Sequence, residues 1–338
     1  MRLHRRAFLA GLGALPFGAA GAGARTAPEQ PLIPITVSAR AIRSFEPRNP
    51  DKTRFGALTF RGGLVLTASH PRFGGFSGIW RSPDGEDLVA LTDNGFWLTA
   101  RVRSEDGRLA GLEDAQLAPV LGASGRPLHR SRYFDTESLT ISNGVAYVGV
   151  ERAHEVLRFE FGRDGVAARA LIVAVPREVK RLPYNRGLEA IAVVPAGHAL
   201  AGALLAVAER SGREGEKTRG FILDSRQPGQ FSVARHDGYD ITDMAFLPDG
   251  DLALLERWYK PWRGVGMRIR RVPGRSIRPG AVLDGNYLVE ADLGQEIDNM
   301  EGLCVHQGGG KTVLTLISDD NFSFLQRTVL LEFELAST

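Results

Sequence analysis

The sequence predicts an all-β protein, a β-propeller of four-stranded blades, and three observations carry that prediction. A unit of two short apolar strands recurs five times. Its copies start 52 to 60 residues apart, slightly above the roughly 40–50 residues usual for a propeller blade. No segment shows the apolar period of an amphipathic helix of any length.

The first strand of each unit carries a polar residue at one place in its pattern. The five strands read GFSGIW (Ser77), DTESLTI (Glu137), GLEAIAV (Glu189), ITDMAF (Asp243) and NMEGLCV (Glu301). Each then turns on Gly or Asn, as at Pro83-Asp84-Gly85, Ser142-Asn143-Gly144 and Pro248-Asp249-Gly250, residues that supply the backbone angles of a tight turn. The second strand ends in an acid: LVALTDN (Asp93), AYVGVER (Glu151), LLAVAER (Glu209), LALLER (Glu256) and LTLISDD (Asp319). Third strands are expected over 97–102, 156–161, 220–223, 267–272 and 328–335, and fourth strands over 116–121, 170–175, 230–234 and 287–291.

The fifth unit has room for three strands only, because 37 residues follow Glu301. Two strand candidates near the N-terminus, 35–42 and 55–68, are free to supply the missing outer strand. That closes the ring and leaves no open edge where the chain ends meet. The count is five blades, or six if a degenerate blade occupies the junction.

Residues 1–24 read as a twin-arginine export signal: Arg5-Arg6 precedes a Gly/Ala-rich apolar run ending at Ala22-Gly23-Ala24. Residues 25–34 form a Pro-containing tether, and 35–338 form one propeller domain. The expected location is the periplasm, with no stable membrane insertion, since the apolar run is short and broken by Gly and Pro16. Replacing Arg5 and Arg6 with Lys should strand a precursor in the cytoplasm on cell fractionation. Normal export of that variant would assign the general secretory route instead.

Without the signal, 39 basic residues balance 39 acidic ones, so the mature chain is formally neutral. Its high pI is then no argument for nucleic acid, and no basic run appears. The single cysteine, Cys304, excludes an internal disulfide and a thiolate metal cluster. A monomer acting on a small anionic or ester substrate is expected.

In a propeller the innermost strands line the central channel. Glu137, Glu189, Asp243 and Glu301, with Ser77, are thus expected around one mouth. Carboxylates gathered this closely need a counter-charge. A hard cation, Ca²⁺ first, is one solution. Guanidinium pairing is the other, and Arg152, Arg210 and Arg257 follow three of the second-strand acids. Adjacent strand residues face opposite ways, so each Arg is expected to pair with a neighbouring blade. Asp93-Asn94 and Asp319-Asp320-Asn321 replace the Glu-Arg pair in the first and last units, giving an acidic, amide-rich sector opposite an Arg-rich one. Loop candidates are Asp135, Arg186, Lys217 and the stretch Trp258-Tyr259-Lys260-Pro261-Trp262. Ser77 lacks the glycines of a nucleophile elbow, Gly308–Thr312 lacks the first glycine of a P-loop, and the histidines lack zinc spacing.

Together FGGFSGIW, SPDGEDLVALTDNGFW, DTESLTI, NRGLEAIAV, ITDMAFLPDGDLALLER and IDNMEGLCV resemble the bacterial "esterase-like activity of phytase" family over most of residues 55–335. The resemblance implies an exported propeller with repeated central acids and phosphoester or phosphodiester hydrolase activity. It places the family's acids on Glu137, Glu189, Asp243 and Glu301, with Asp93 and Asp319 in the strand-end series, and Ser77 departs from the pattern. The expected mechanism is metal-dependent, with Ca²⁺ held by those acids, Arg152, Arg210 or Arg257 binding the anion, and Glu189 or Glu137 as general base. The alternatives are a gluconolactonase-like lactone or ester hydrolase and a non-enzymatic periplasmic binding or scaffold propeller.

Overall fold

The computed structural model describes residues 32–336 except 184–185, 212–215 and 261. Five small sheets form a five-bladed propeller. The inner strands are Phe76–Arg81, Thr136–Ser142, Leu188–Val193, Asp240–Phe246 and Asn299–Gly308. Each packs between the inner strands of its two neighbours, and the last packs against the first. Of the two counts left open by the sequence, five is correct.

The ring closes as expected. Leu58–Thr67 lies antiparallel to Thr328–Leu335, in register from Leu66↔Thr328 to Leu58↔Leu335, and so completes the last blade. Ser38–Ile42 adds a further strand outside it. Ile33–Pro34, within the stretch read as a tether, pairs with Leu117 and Gln116 of the first blade. The signal expected over residues 1–24 lies outside the described residues.

Apolar contacts sit between blades. Five core clusters each join two adjacent blades, including one between the fifth and the first. A blade's sheet is apolar on both faces because both faces meet a neighbour, which is why the second strands read as near-continuous Leu, Val and Ala. At the closure, Phe45 meets Phe55 and Phe333 edge-on at centroid distances of 4.9 and 5.0 Å, knotting the N-terminal segment to the last strand.

Strand lengths depart from expectation where turn chemistry decides them. The outer hairpin of the first blade runs on through Glu105 and Arg108, because Asp106 and Gly107 both take positive φ, as a two-residue type I′ turn requires. The outer strand of the second blade is short, Leu171–Val173, and the only α-helix among the described residues is one turn, Phe161–Asp164. The end of the channel away from the acids is a cavity of about 170 Å³ lined by residues such as Trp80, Ile141, Val193, Phe246 and Val305.

Candidate functional site

Every inner strand slips register with its partner at one residue. Pairing jumps from Phe76 to Gly78, Thr136 to Ser138, Leu188 to Ala190, Ile241 to Asp243 and Met300 to Gly302. The residues passed over are Ser77, Glu137, Glu189, Thr242 and Glu301. Each is the extra residue of a β-bulge, left outside the ladder with its side chain re-aimed. The bulge recurs in all five blades, so these five side chains form one ring at the channel mouth.

Asp243 is therefore not a member of that ring. The blade-four motif is offset by one residue, and Thr242 holds the position expected for an acid. Asp243 points between blades, fully buried, and accepts hydrogen bonds from Met244 N (2.8 Å) and Leu303 N (2.7 Å) of the next inner strand. Burial outweighs both donors and pushes its carboxyl well above the ordinary range. Its counterparts in the other blades are Gly78, Ser138, Ala190 and Gly302, small residues that fit the same tight seam. In the ring itself the two hydroxyls are staples: Ser77 Oγ donates to Thr136 O (2.6 Å) and Thr242 Oγ1 to Met300 O (3.2 Å). Asp243→Ala should orphan the Leu303 N–H and cost about 2 kcal/mol in chemical denaturation, with cation binding untouched.

The second-strand series shifts by the same single residue. Asp93 N, Glu151 N and Glu209 N bond to Gly75 O, Asp135 O and Gly187 O, while Arg257 pairs with Asp240 and Asp319 with Asn299. Arg257, not Glu256, is thus the counterpart of Asp93, Glu151, Glu209 and Asp319. Glu256 faces the sheet interior, fully buried between Arg268 (2.9 Å) and Arg270 (2.7 Å), with Arg268 also lying over the Tyr239 ring. That network is structural.

Bulge acids and strand-end acids meet at the mouth. Carboxylate oxygens of Asp135, Glu137 and Glu151 all lie within 4.8 Å of one another, and so do those of Glu151, Glu189 and Glu209. Glu151 belongs to both trios and also accepts Gly187 N (3.2 Å). Glu301, Asp93 and Asp319 complete the mouth on the side of the fifth and first blades, where Asp320 ties the two together through Gly75 N (2.9 Å). Asn299 Nδ2 donates to Glu301 Oε1 (3.0 Å).

Burial first, and mutual repulsion second, raise these carboxyls. Asp93, Glu151 and Glu301 are pushed up to about 7 and Asp319 to about 6, while Glu137 and Glu189 rise well above the ordinary range. Burial also raises Glu209, against the pull of Arg257. The folded state therefore keeps protons that the unfolded chain, with ordinary carboxyls, gives up. In chelator, melting temperature should fall as pH rises from about 5 to 8, the opposite of the usual salt-bridged carboxylate. A cation held by these carboxylates would replace those protons, and added calcium should then flatten that slope.

The three expected arginines are all engaged by carboxylates. Arg152 Nε lies 3.0 Å from Asp135, in its own blade. Arg210 pairs with Asp240 of the next blade, and Arg235 joins it there. Arg257 reaches both neighbours, with Nε 3.0 Å from Glu301 and a terminal nitrogen 3.8 Å from Glu209. Among the described residues no ion pair forms at Asp93, Glu137, Glu151, Glu189 or Asp319, so acid outnumbers base in the mouth. Of the loop candidates, Asp135 joins a trio and Arg186 lowers the Glu209 carboxyl. Lys217, Tyr259 and Trp262 are exposed, and Trp258 is buried under Lys260 and Arg263. Cys304 is buried, its thiol raised to about 12 by burial, and is inert.

Fold and site together define an acid-mouthed, five-bladed β-propeller. The family model for phytase-like proteins, described as esterase-like activity of phytase, matches residues 71–322, and the chain belongs to that family. None of the curated proteins compared with the chain matches it. Among solved structures, the PQQ-bound aldose sugar dehydrogenase of Streptomyces coelicolor is similar at 12% identity and TM-score 0.42, covering 89% of this chain and 99% of that one. A gluconolactonase from Xanthomonas campestris is similar at 14% identity and TM-score 0.43, covering 92% of this chain and 89% of that one.

Proposed function

We propose that the protein is a metal-dependent hydrolase that cleaves a phosphoester or phosphodiester at the acidic channel mouth. The observation that carries this reading is the pair of carboxylate trios sharing Glu151, in a mouth with too few cations of its own. An all-oxygen, multi-carboxylate donor set suits a hard cation, Ca²⁺ before any softer metal. Asp135, Glu137, Glu151, Glu189 and Glu209 would hold it. When bound, such an ion polarises a phosphoryl oxygen and makes a water more acidic.

The remaining residues have roles of their own. Arg257 is the guanidinium of the strand-end series and is held on both sides by Glu301 and Glu209, so it presents its charge to an anionic substrate without moving. Arg152 and Arg210 are committed to Asp135 and Asp240 and position those acids. Glu189, expected as the general base, is a trio member. Glu301 lies outside both trios, is oriented by Asn299 and Arg257, and is raised to about 7, which suits it to take a proton from water near neutral pH. The signal expected over residues 1–24 would export the enzyme to the periplasm.

A panel of phosphomonoester, phosphodiester, carboxylic ester and lactone substrates, assayed with calcium and with chelator, tests the proposal. Calcium-dependent release from a phosphoester, lost in Glu301→Gln, is the expected result. Turnover of the lactone alone would assign the gluconolactonase-like chemistry. No turnover of any substrate, with calcium bound, would leave a binding propeller.

A further inference from the structure

We infer that the substrate carries a flat, uncharged ring beside its phosphoryl group, received by a groove over the seam between the fourth and fifth blades; this rests on the hydrolase reading above. The connection between those blades, residues 293–298, runs from the outer strand Asn286–Asp292 to the inner strand Asn299–Gly308 and so crosses the mouth face above the seam. One wall is the fourth-blade hairpin, which continues past Arg257 through Trp258↔Gly266, Tyr259↔Val265 and Lys260↔Gly264. Three residue pairs at about 3.3 Å each raise its tip about 10 Å. The other wall is the fifth-blade loop 320–327, between Lys311–Asp319 and Thr328–Leu335. Both walls are tied to the floor. A Cβ on Gly264 of the hairpin would come within 2.3 Å of Leu293. Arg327 of the loop donates to Ile297 O (2.9 Å) and pairs with Glu296 (2.6 Å) and Asp298 (3.4 Å).

The strand fixes which way the hairpin wall faces. Alternate residues share a face, and so do residues directly opposite, which puts Tyr259 on the face of Arg257 and Val265. Val265 packs against the core between the fourth and fifth blades, so that face looks toward the fifth blade and Tyr259 borders the groove. Tyr259 is 63% exposed and Leu293 61%, and across from them Phe324 is 95% and Leu325 78% exposed. The groove opens inward on Arg257, which is fixed between Glu301 and Glu209. A phosphoryl held by Arg257 has Tyr259 two residues, or about 7 Å, further out, the reach of a directly attached ring. Aromatic walls favour a ring that stacks offset or edge-on. The charges at the border select against a second anion: Asp292 and Asp320 flank the groove, and Arg327 is taken up by Glu296 and Asp298. An aryl phosphoester with no other negative charge meets both conditions.

Titration calorimetry of the calcium-supplemented mature protein with phenylphosphonate and with methylphosphonate tests this without requiring turnover. Phenylphosphonate should bind roughly tenfold more tightly than methylphosphonate. In the double variant Tyr259→Ala, Phe324→Ser that preference should fall to about twofold or less, with the wild-type melting temperature kept, since both side chains are exposed. Equal affinity of the two phosphonates for the wild type, or a preference that the folded double variant retains, would overturn the ring-binding groove and leave the anion site standing. Binding of neither phosphonate would overturn the groove and the anion-holding role of Arg257 together. The hydrolase reading fails separately, on the absence of turnover in the substrate panel.

Discussion

Deleting residues 35–68 should abolish cooperative unfolding of the whole propeller. Those residues supply the outer strand of the last blade, and without it Thr328–Leu335 becomes a bare edge. The deletion also removes Leu58, Phe60, Leu64, Val65 and Leu66, all buried in the seams on either side of the fifth blade. At roughly 1.5–3 kcal/mol for each buried side chain, the loss is about 8–15 kcal/mol, comparable with the whole stability of a typical domain, about 5–15 kcal/mol. Phe60→Ala is the graded control and should cost roughly 3–5 kcal/mol while leaving a two-state transition. A truncated chain that unfolds with the wild-type midpoint and slope would show that the ring closes by other means.

Glu151→Gln should weaken calcium binding by on the order of a hundredfold, the largest effect of any single mouth substitution. Glu151 is the one carboxylate common to both trios, and glutamine keeps its shape while removing its charge. A unit charge about 4 Å from another is worth about 4 kcal/mol at an effective dielectric of 20, so losing about two-thirds of that interaction reaches that factor. The ion-free protein should be as stable as wild type or more so, because the substitution removes a charge that burial first, and the neighbouring Asp135 second, disfavour, raising Glu151 to about 7. An inter-blade structural role predicts the reverse, a less stable ion-free protein and unchanged calcium affinity. Glu189→Gln touches one trio only and should have a smaller effect.

The fold was legible in the sequence because a propeller repeats its constraints. Turn glycines, apolar second strands and the shortage of chain after Glu301 each point to closure by the N-terminus, and Leu58–Thr67 fulfils it. The site was less legible, for one physical reason. Within the strand motif Asp243 stands where the second, third and fifth blades have an acid, whereas the backbone aligns on the bulge. Ile191, Met244 and Leu303 are the matching apolar positions, and counting back from them lands on Glu189, Thr242 and Glu301. That count places Thr242, not Asp243, in the ring, and the pairing of Asp240 with Arg257 then places Arg257, not Glu256, in the strand-end series. That Glu151 of the second blade joins Glu189 and Glu209 of the third depends on contact across a blade seam, which no spacing within one strand reveals.

Isothermal titration of the mature wild-type protein with calcium, at pH 6 and at pH 8, decides whether the acidic mouth is a cation site. Saturable binding that tightens at the higher pH, with proton release on binding, is expected, because carboxyls held near 7 must ionise to accept the ion. Absence of binding up to millimolar calcium at either pH would contradict it.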